Sequence, residues 1–267
     1  MKIIATFGWL TLLASWCPAA DTAQPLKQAH AHNDYEHKRP LLDALAEGFC
    51  SVEADVFLAK PGLLVGHTIL DLKPERTLQK LYLDPLRERA KANGGRIYKN
   101  GPTVYLLIDV KTDAKTTWAA LAKVLEEYAD ILSVSGDGKF EEKAVTVVIS
   151  GNCDREAITA QKVRFAGIDG RPKDLEGKSP AALIPWVSAS WDSQFQWKGT
   201  GAFPAAEDRK LRDYVKKAHE QKRLVRFWAT PDKPEAWAVQ LAAGVDLINT
   251  DELPELRQFL SFSSPAP

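Results

Sequence analysis

Two stretches of the chain set charged side chains two residues apart among apolar ones: Ser51-Val52-Glu53-Ala54-Asp55-Val56 and Tyr105-Leu106-Leu107-Ile108-Asp109-Val110-Lys111. Successive side chains of a β-strand point to opposite faces. Glu53 and Asp55 therefore share a face, as do Asp109 and Lys111, while Val52, Ala54, Val56, Leu106, Ile108 and Val110 turn to an apolar layer. A buried charge costs several kcal/mol unless it is paired or binds a metal. Converging carboxylates that hold a divalent cation meet that requirement; edge strands with one solvated face meet it too.

The same alternation, read along the chain, predicts strands at 26–30, 51–57, 103–111, 144–150, 165–169, 184–190, 224–229 and 246–250, with an extended piece at 63–66 after Pro61-Gly62. Helical periodicity falls at 40–47, 77–93, 116–132, 207–220, 234–243 and 254–260. Asp154 caps a further short helix, and Gly48, Gly94-Gly95 and Gly244 act as stops. Eight strands with intervening helices in about 250 residues predict an α/β fold, a single (β/α)₈ barrel. The rival is a doubly wound open sheet. Polar residues decide for the barrel: His30, Glu53, Asp55, Asp109, Lys111, Trp228 and Asn249 fall at or near the carboxyl ends of predicted strands, the rim on which barrels build their sites. The chain has no strand–GxGxxG–helix unit and no Walker A loop, which leaves a nucleotide cofactor without support.

The amino terminus changes the expected address. Lys2 and the apolar stretch 3–14, too short to span a bilayer, precede small residues near Ala19 and Ala20, the pattern of a cleaved export signal at 1–20. Trp16 argues against a lipoprotein anchor on Cys17. The expectation is a secreted or periplasmic protein with no transmembrane segment after cleavage, a barrel domain over 21–260 and a disordered tail at 261–267. The 35 Lys plus Arg balance the 35 Asp plus Glu, so no bulk charge favours nucleic acid or an anionic membrane. Cys50 and Cys153 fall at opposite ends of predicted strands and are expected to stay unpaired. The segment from Lys216 to Arg223 reads as a solvated basic helix end.

Four of the five histidines lie between residues 30 and 67, close to the first acidic pair. His30-Ala31-His32-Asn33-Asp34-Tyr35 follows the first strand, and His67 follows Leu63-Leu64-Val65-Gly66. Imidazoles titrate near neutrality, so one can take a proton while another gives one. That pairing suits phosphodiester cleavage, with a hard cation on oxygen ligands neutralising the phosphate and Lys111 adding charge. Glu53, Asp55 and Asp109 suit Mg²⁺ or Ca²⁺; His30-x-His32 with carboxylates suits zinc. Arg171, after the fifth strand, reads either as a rim contact for an anionic substrate or as a solvated turn, and Arg226 shares a face with Trp228 that could point inward.

Together these residues resemble the phospholipase-C-like phosphodiesterase superfamily, which includes glycerophosphodiester phosphodiesterases and sphingomyelinase-D-type phospholipases. The resemblance rests on His30, Glu53-Ala54-Asp55-Val56, Val65-Gly66-His67, Leu107-Ile108-Asp109-Val110-Lys111, Trp228 and the ending Gly244-Val245-Asp246-Leu247-Ile248-Asn249-Thr250-Asp251. It implies a metal-dependent barrel phosphodiesterase. His30 and His67 would be the acid–base pair, assisted by Lys111, and Glu53, Asp55 and Asp109 would hold Mg²⁺ or Ca²⁺. His32, Asn33, Arg171, Trp228 and Asn249 would contact a small phosphodiester or lipid head group. The chain lacks the His-Arg-Gly and Pro-Glu-Asn-Thr of glycerophosphodiesterases; His30-Ala31-His32-Asn33 is closer to the His-x-x-Asn of the sphingomyelinase-D type. His32 competes with His30 for the catalytic role, and His30 is favoured because it ends the strand and keeps that spacing.

Two other classes remain. A carbohydrate-acting barrel would use Trp186, Trp191 and Trp197 to stack on sugars and its carboxylates as acid and nucleophile. A non-catalytic binding barrel would keep the fold without the chemistry.

Overall fold

The computed structural model describes residues 23–263. The export signal expected at 1–20 and residues 264–267 of the expected tail lie outside the described residues; residues 261–263 belong to the last helix.

Eight parallel strands form the wall: β1 (Leu26–Ala31), β2 (Phe49–Ala59), β3 (Val104–Val110), β4 (Val145–Gly151), β5 (Ala166–Gly170), β6 (Trp186–Ser190), β7 (Leu224–Trp228) and β8 (Ile248–Thr250). They pair in the order β7-β6-β5-β4-β3-β2-β1-β8. A bridge between Arg226 and Leu247 joins β7 to the approach of β8 and nearly closes the ring. The helices are α1 (Leu42–Ala46), α2 (Asp84–Ala92), α3 (Ala114–Glu127), α4 (Arg155–Ala160), α5 (Trp191–Gln194), α6 (Ala205–Glu220), α7 (Pro234–Ala243) and α8 (Leu253–Ser263). The protein is a (β/α)₈ barrel.

Local chemistry explains the boundaries. Asp154 caps α4 by accepting from Ala157 N–H at 3.1 Å, and Gly244 ends α7 in the left-handed conformation (φ 85°). The helix expected over 77–93 begins as a π-turn, Gln79–Leu83, and Pro85, which lacks an N–H, marks the change to α2. Strand Gly62–Val65 folds back antiparallel on β2 and carries the chain to His67. A small antiparallel sheet of Val134–Gly136, Lys139–Glu141 and Val163–Arg164 adds to the amino-terminal end and was not expected. Its turn pair Asp137-Gly138, both at positive φ (51° and 73°), is the pair that two-residue hairpins favour.

Two expectations are corrected by burial. Trp186, Trp191 and Trp197 are core side chains, the first two with no exposed surface. Trp191 packs on Phe195, Phe203 and Phe227, so these indoles are not a sugar platform. Arg223 is buried rather than solvated: its guanidinium donates to the carbonyls of Asp174 and Ser179 at 2.7 Å each, tying α6 to the loop before β6. Cys50 and Cys153 are free thiols on β2 and just past β4.

Candidate active site

The register of β2 and β3 builds the centre. Asp55 pairs with Asp109 across the two strands, with Glu53 two residues earlier on the same face of β2. One oxygen from each of Glu53, Asp55 and Asp109 lies within 4.8 Å of the others. They floor a cavity of about 350 Å³ at the carboxyl end of the barrel, lined also by His32, Asn33, His67, Lys111, Arg171, Arg226 and Trp228. Two other cavities, of about 290 and 640 Å³, share Tyr105, Glu142 and Leu224 at the opposite end, and no comparable carboxylate cluster falls there among the described residues.

The carboxylates are differently compensated. Glu53 Oε2 accepts from Arg226 Nη2 at 2.5 Å and lies 3.3 Å from His30 Nε2. Burial pushes the Glu53 carboxyl up, but the Arg226 guanidinium and the His30 contact outweigh it and hold the group below its ordinary range. Lys111 Nζ sits 3.0 Å from Asp55 Oδ2 and 3.4 Å from Asp109 Oδ2. Burial and the neighbouring Glu53 charge still raise Asp55 to about 6, and burial raises Asp109. Burial alone would lower Lys111, yet the Asp109 and Asp55 carboxylates raise it.

Asp55 Oδ1 and Asp109 Oδ1 are buried without a hydrogen-bond partner. Gly151 makes room for the second: at φ 66°, a Cβ there would lie 1.9 Å from Asp109 Oδ1. Two orphaned anionic oxygens beside a third carboxylate are a donor set of the kind a hard divalent cation takes, and the residues fit Mg²⁺ or Ca²⁺ rather than a nitrogen- and sulfur-preferring ion.

The histidines separate. His30 is wholly buried beneath the cavity, with Nδ1 2.6 Å from Ser51 Oγ and its ring edge-on to Trp186. Burial and the Arg226 charge push it down to about 3, so the imidazole is neutral. His32 lines the cavity, and its Nδ1 donates to Asp251 Oδ1 at 2.8 Å. Burial would lower His32, but the Asp251 hydrogen bond brings a net rise. His67 stands more than half exposed across the cavity. Its Nδ1 lies 3.0 Å from the Tyr35 hydroxyl, which also reaches Asp55 Oδ2 at 2.7 Å and Asn33 Oδ1 at 2.8 Å. The hydroxyl has one proton; given to the Asp55 carboxylate, it leaves the oxygen to accept from His67 Nδ1–H and the His67 Nε2 bare.

Of the other expected residues, Arg171 donates to Asp169 Oδ2 at 2.6 Å and lies 5.1 Å over the Trp228 ring. Asn249 is buried beneath the cavity and accepts from Arg226 Nε at 2.9 Å, so it holds the arginine rather than facing the opening. Tyr35 and Asp251 were quoted in the sequence motifs without a role. Their signals are modest: a tyrosine two residues past Asn33, and an aspartate just past β8.

The barrel and its rim cluster are those that the phospholipase-C-like resemblance implies, and the family matches bear the class out. The AIM6-like phosphodiesterase domain matches residues 20–166, and the glycerophosphoryl diester phosphodiesterase family matches residues 225–254. The chain belongs to the AIM6-like phosphodiesterase family. Altered inheritance of mitochondria protein 6 of Eremothecium gossypii is 32% identical over 88% of this chain and 69% of its own length. The homologous protein of Arthroderma benhamiae is 31% identical over 84% of this chain and 81% of its own. In fold, the chain is similar to a glycerophosphodiester phosphodiesterase from Parabacteroides distasonis (TM-score 0.54, 16% identity, 91% of this chain and all of that one). It is also similar to a calcium-dependent phosphoinositol-specific phospholipase C from Pseudomonas sp. (TM-score 0.53, 13% identity, 89% and 93%). These relatives correct the expected address: they are fungal proteins named for altered inheritance of mitochondria, which overturns the secreted or periplasmic assignment.

Proposed function

We propose that the protein is a divalent-cation-dependent phosphodiesterase acting on a glycerophosphodiester or a lysophospholipid-like head group. The observation that carries this reading is the pair of orphaned oxygens, Asp55 Oδ1 and Asp109 Oδ1, beside Glu53 on the floor of a cavity that two imidazoles flank. Glu53, Asp55 and Asp109 would hold Mg²⁺ or Ca²⁺, which supplies positive charge against the phosphate oxygens. Lys111 and Arg171 orient the phosphate from two sides, and Trp228 forms the cavity wall beneath the arginine.

His67, its Nδ1 engaged by Tyr35, presents Nε2 as the base that takes a proton from the attacking hydroxyl. His32, held toward its charged form by Asp251, returns a proton to the leaving alkoxide. His30 takes neither part in this reading; its burial and neutrality suit it to orienting Glu53. Attack by a substrate hydroxyl yields a cyclic phosphodiester, and attack by water a monoester, with the same two proton transfers.

The test is hydrolysis of a phosphodiester panel by chelator-treated protein with Mg²⁺ or Ca²⁺ restored in turn. Asp55→Asn and His67→Ala should each lower kcat/KM by about 10²–10⁴. Wild-type rates in both variants, or full activity in EDTA, would end the assignment. The second outcome would mean phosphodiester cleavage without a bound cation, and EDTA-insensitive cleavage of glycosides in place of phosphodiesters would favour a two-carboxylate glycosidase.

A further inference from the structure

Immediately after His67 the chain makes a 3₁₀ turn, Ile69–Asp71. Asp71 Oδ2 accepts from Thr68 N–H at 2.8 Å and from Thr68 Oγ1 at 2.6 Å, and Thr68 Oγ1 accepts from Leu70 N–H at 3.3 Å. The turn is thus tied at its base while its apolar side chains stand in solvent: Ile69 is 73% exposed and Leu70 91%. The other large exposed apolar residues, Leu42, Phe140, Val163 and Phe262, are not sequence neighbours of one another. Leu70 helps line a hollow of about 580 Å³ that shares His67 with the catalytic cavity.

The occupant follows from size and charge. Two aliphatic side chains are far too few for a stable protein interface, which takes roughly 800 Å² from each partner. They suit shallow insertion into the boundary between lipid head groups and acyl chains. The hollow sets Glu36 and Asp71 against Lys73 and Arg76, a balanced collar that matches zwitterionic head groups better than a strongly anionic surface. Among the described residues no helix is long and apolar enough to cross a membrane. We propose that the Ile69–Leu70 turn inserts into a zwitterionic phospholipid surface and sets the catalytic mouth against the head groups. This deepens the phosphodiesterase reading and rests on it for the role of the mouth, while the binding itself is independent of turnover.

The experiment is co-sedimentation of the purified chain with phosphatidylcholine vesicles. Ile69→Ser/Leu70→Ser should lower the vesicle partition constant by on the order of tenfold or more, with an unchanged thermal midpoint because both side chains are in solvent. Phe140→Ser, on the hairpin at the opposite end, should bind as wild type, and Leu70→Trp should bind more tightly. Wild-type protein that stays in the supernatant at millimolar lipid overturns the proposal, and so does equal binding by the double serine variant or no gain with Leu70→Trp. Vesicle binding that depends on Ile69 and Leu70 in a protein that cleaves no phosphodiester would leave the anchor standing and remove the catalytic reading.

Discussion

Replacing Arg226 with methionine tests the electrostatic design of the site most directly. Arg226 is 3% exposed, and its guanidinium donates to Glu53 Oε2 at 2.5 Å and to Asn249 Oδ1 at 2.9 Å, reaching Glu53 across 173 residues of chain. Methionine fills much of the same volume without the charge. Removing one partner of a buried ion pair costs about 3–5 kcal/mol, because the other charge is left uncompensated. In a chain of this size each kcal/mol moves the thermal midpoint by about 2–4 °C, so Arg226→Met should melt roughly 6–20 °C lower in EDTA. Urea unfolding followed by the fluorescence of the eight tryptophans gives the free energy independently. Adding Glu53→Gln removes the stranded charge and should restore on the order of 2 kcal/mol, the coupling a double-mutant cycle isolates. A cation at 100 times its dissociation constant stabilises by about 2.7 kcal/mol; at equal concentration it should stabilise Arg226→Met more than wild type, since it also neutralises Glu53. An Arg226→Met protein within 1 kcal/mol of wild type in EDTA, or no recovery on adding Glu53→Gln, refutes the reasoning.

Gly151→Ala should cost about 1–2 kcal/mol from the left-handed backbone alone, and because its Cβ would collide with Asp109 Oδ1 it should weaken cation binding in a calorimetric titration; an unchanged dissociation constant would count against Asp109 as a ligand. Asp251→Asn takes the negative charge out of the hydrogen bond that keeps His32 raised, so the high-pH limb of the kcat/KM profile should move to lower pH; an unmoved limb would take His32 out of proton transfer. Asp34 is wholly buried, and burial raises it from 3.8 to about 7. The folded chain therefore keeps a proton that the unfolded chain has released, so this group's contribution to stability is greatest below about pH 4 and falls as pH rises toward 7. Asp34→Asn should flatten that decline in a series of denaturation curves, and an equally steep decline in the variant would place its origin elsewhere.

How much the sequence revealed depends on the distance over which each feature is decided. Glu53, Asp55, Asp109 and Lys111 were legible because a two-residue spacing in a strand fixes a shared face, and the strand order then brings the two runs side by side. The barrel was legible from eight apolar runs and the polar residues at their ends. That His30 is buried while His32 lines the cavity was not. Both flank the end of β1, and only the inward network of Ser51, Glu53 and Arg226, drawn from β2 and β7, captures His30 inside the wall. The hold of Asn249 on Arg226 was hidden for the same reason: the arginine lies on another strand. Trp186, Trp191 and Trp197 look alike in sequence whether they face solvent or core; Tyr105 and Asp169 hold the first inside, Phe195, Phe203 and Phe227 the second, and Phe203 the third. Arg223 resembled its lysine neighbours until the carbonyls of Asp174 and Ser179 supplied partners from another segment.

The join between β7 and β8 is narrow. Leu247 N–H and Asp246 N–H both reach the single carbonyl of Val225, and Arg226 pairs with Leu247 as the one bridge there among the described residues. The side chain that neutralises Glu53 also clasps Asn249 across that join. Charge balance in the pocket and the cohesion of the ring are therefore one variable. Amide hydrogens along this seam should exchange faster than those between β2, β3 and β4. Any evolutionary retuning of the arginine would loosen a stave of the cask as it changed the acidity of what the cask holds.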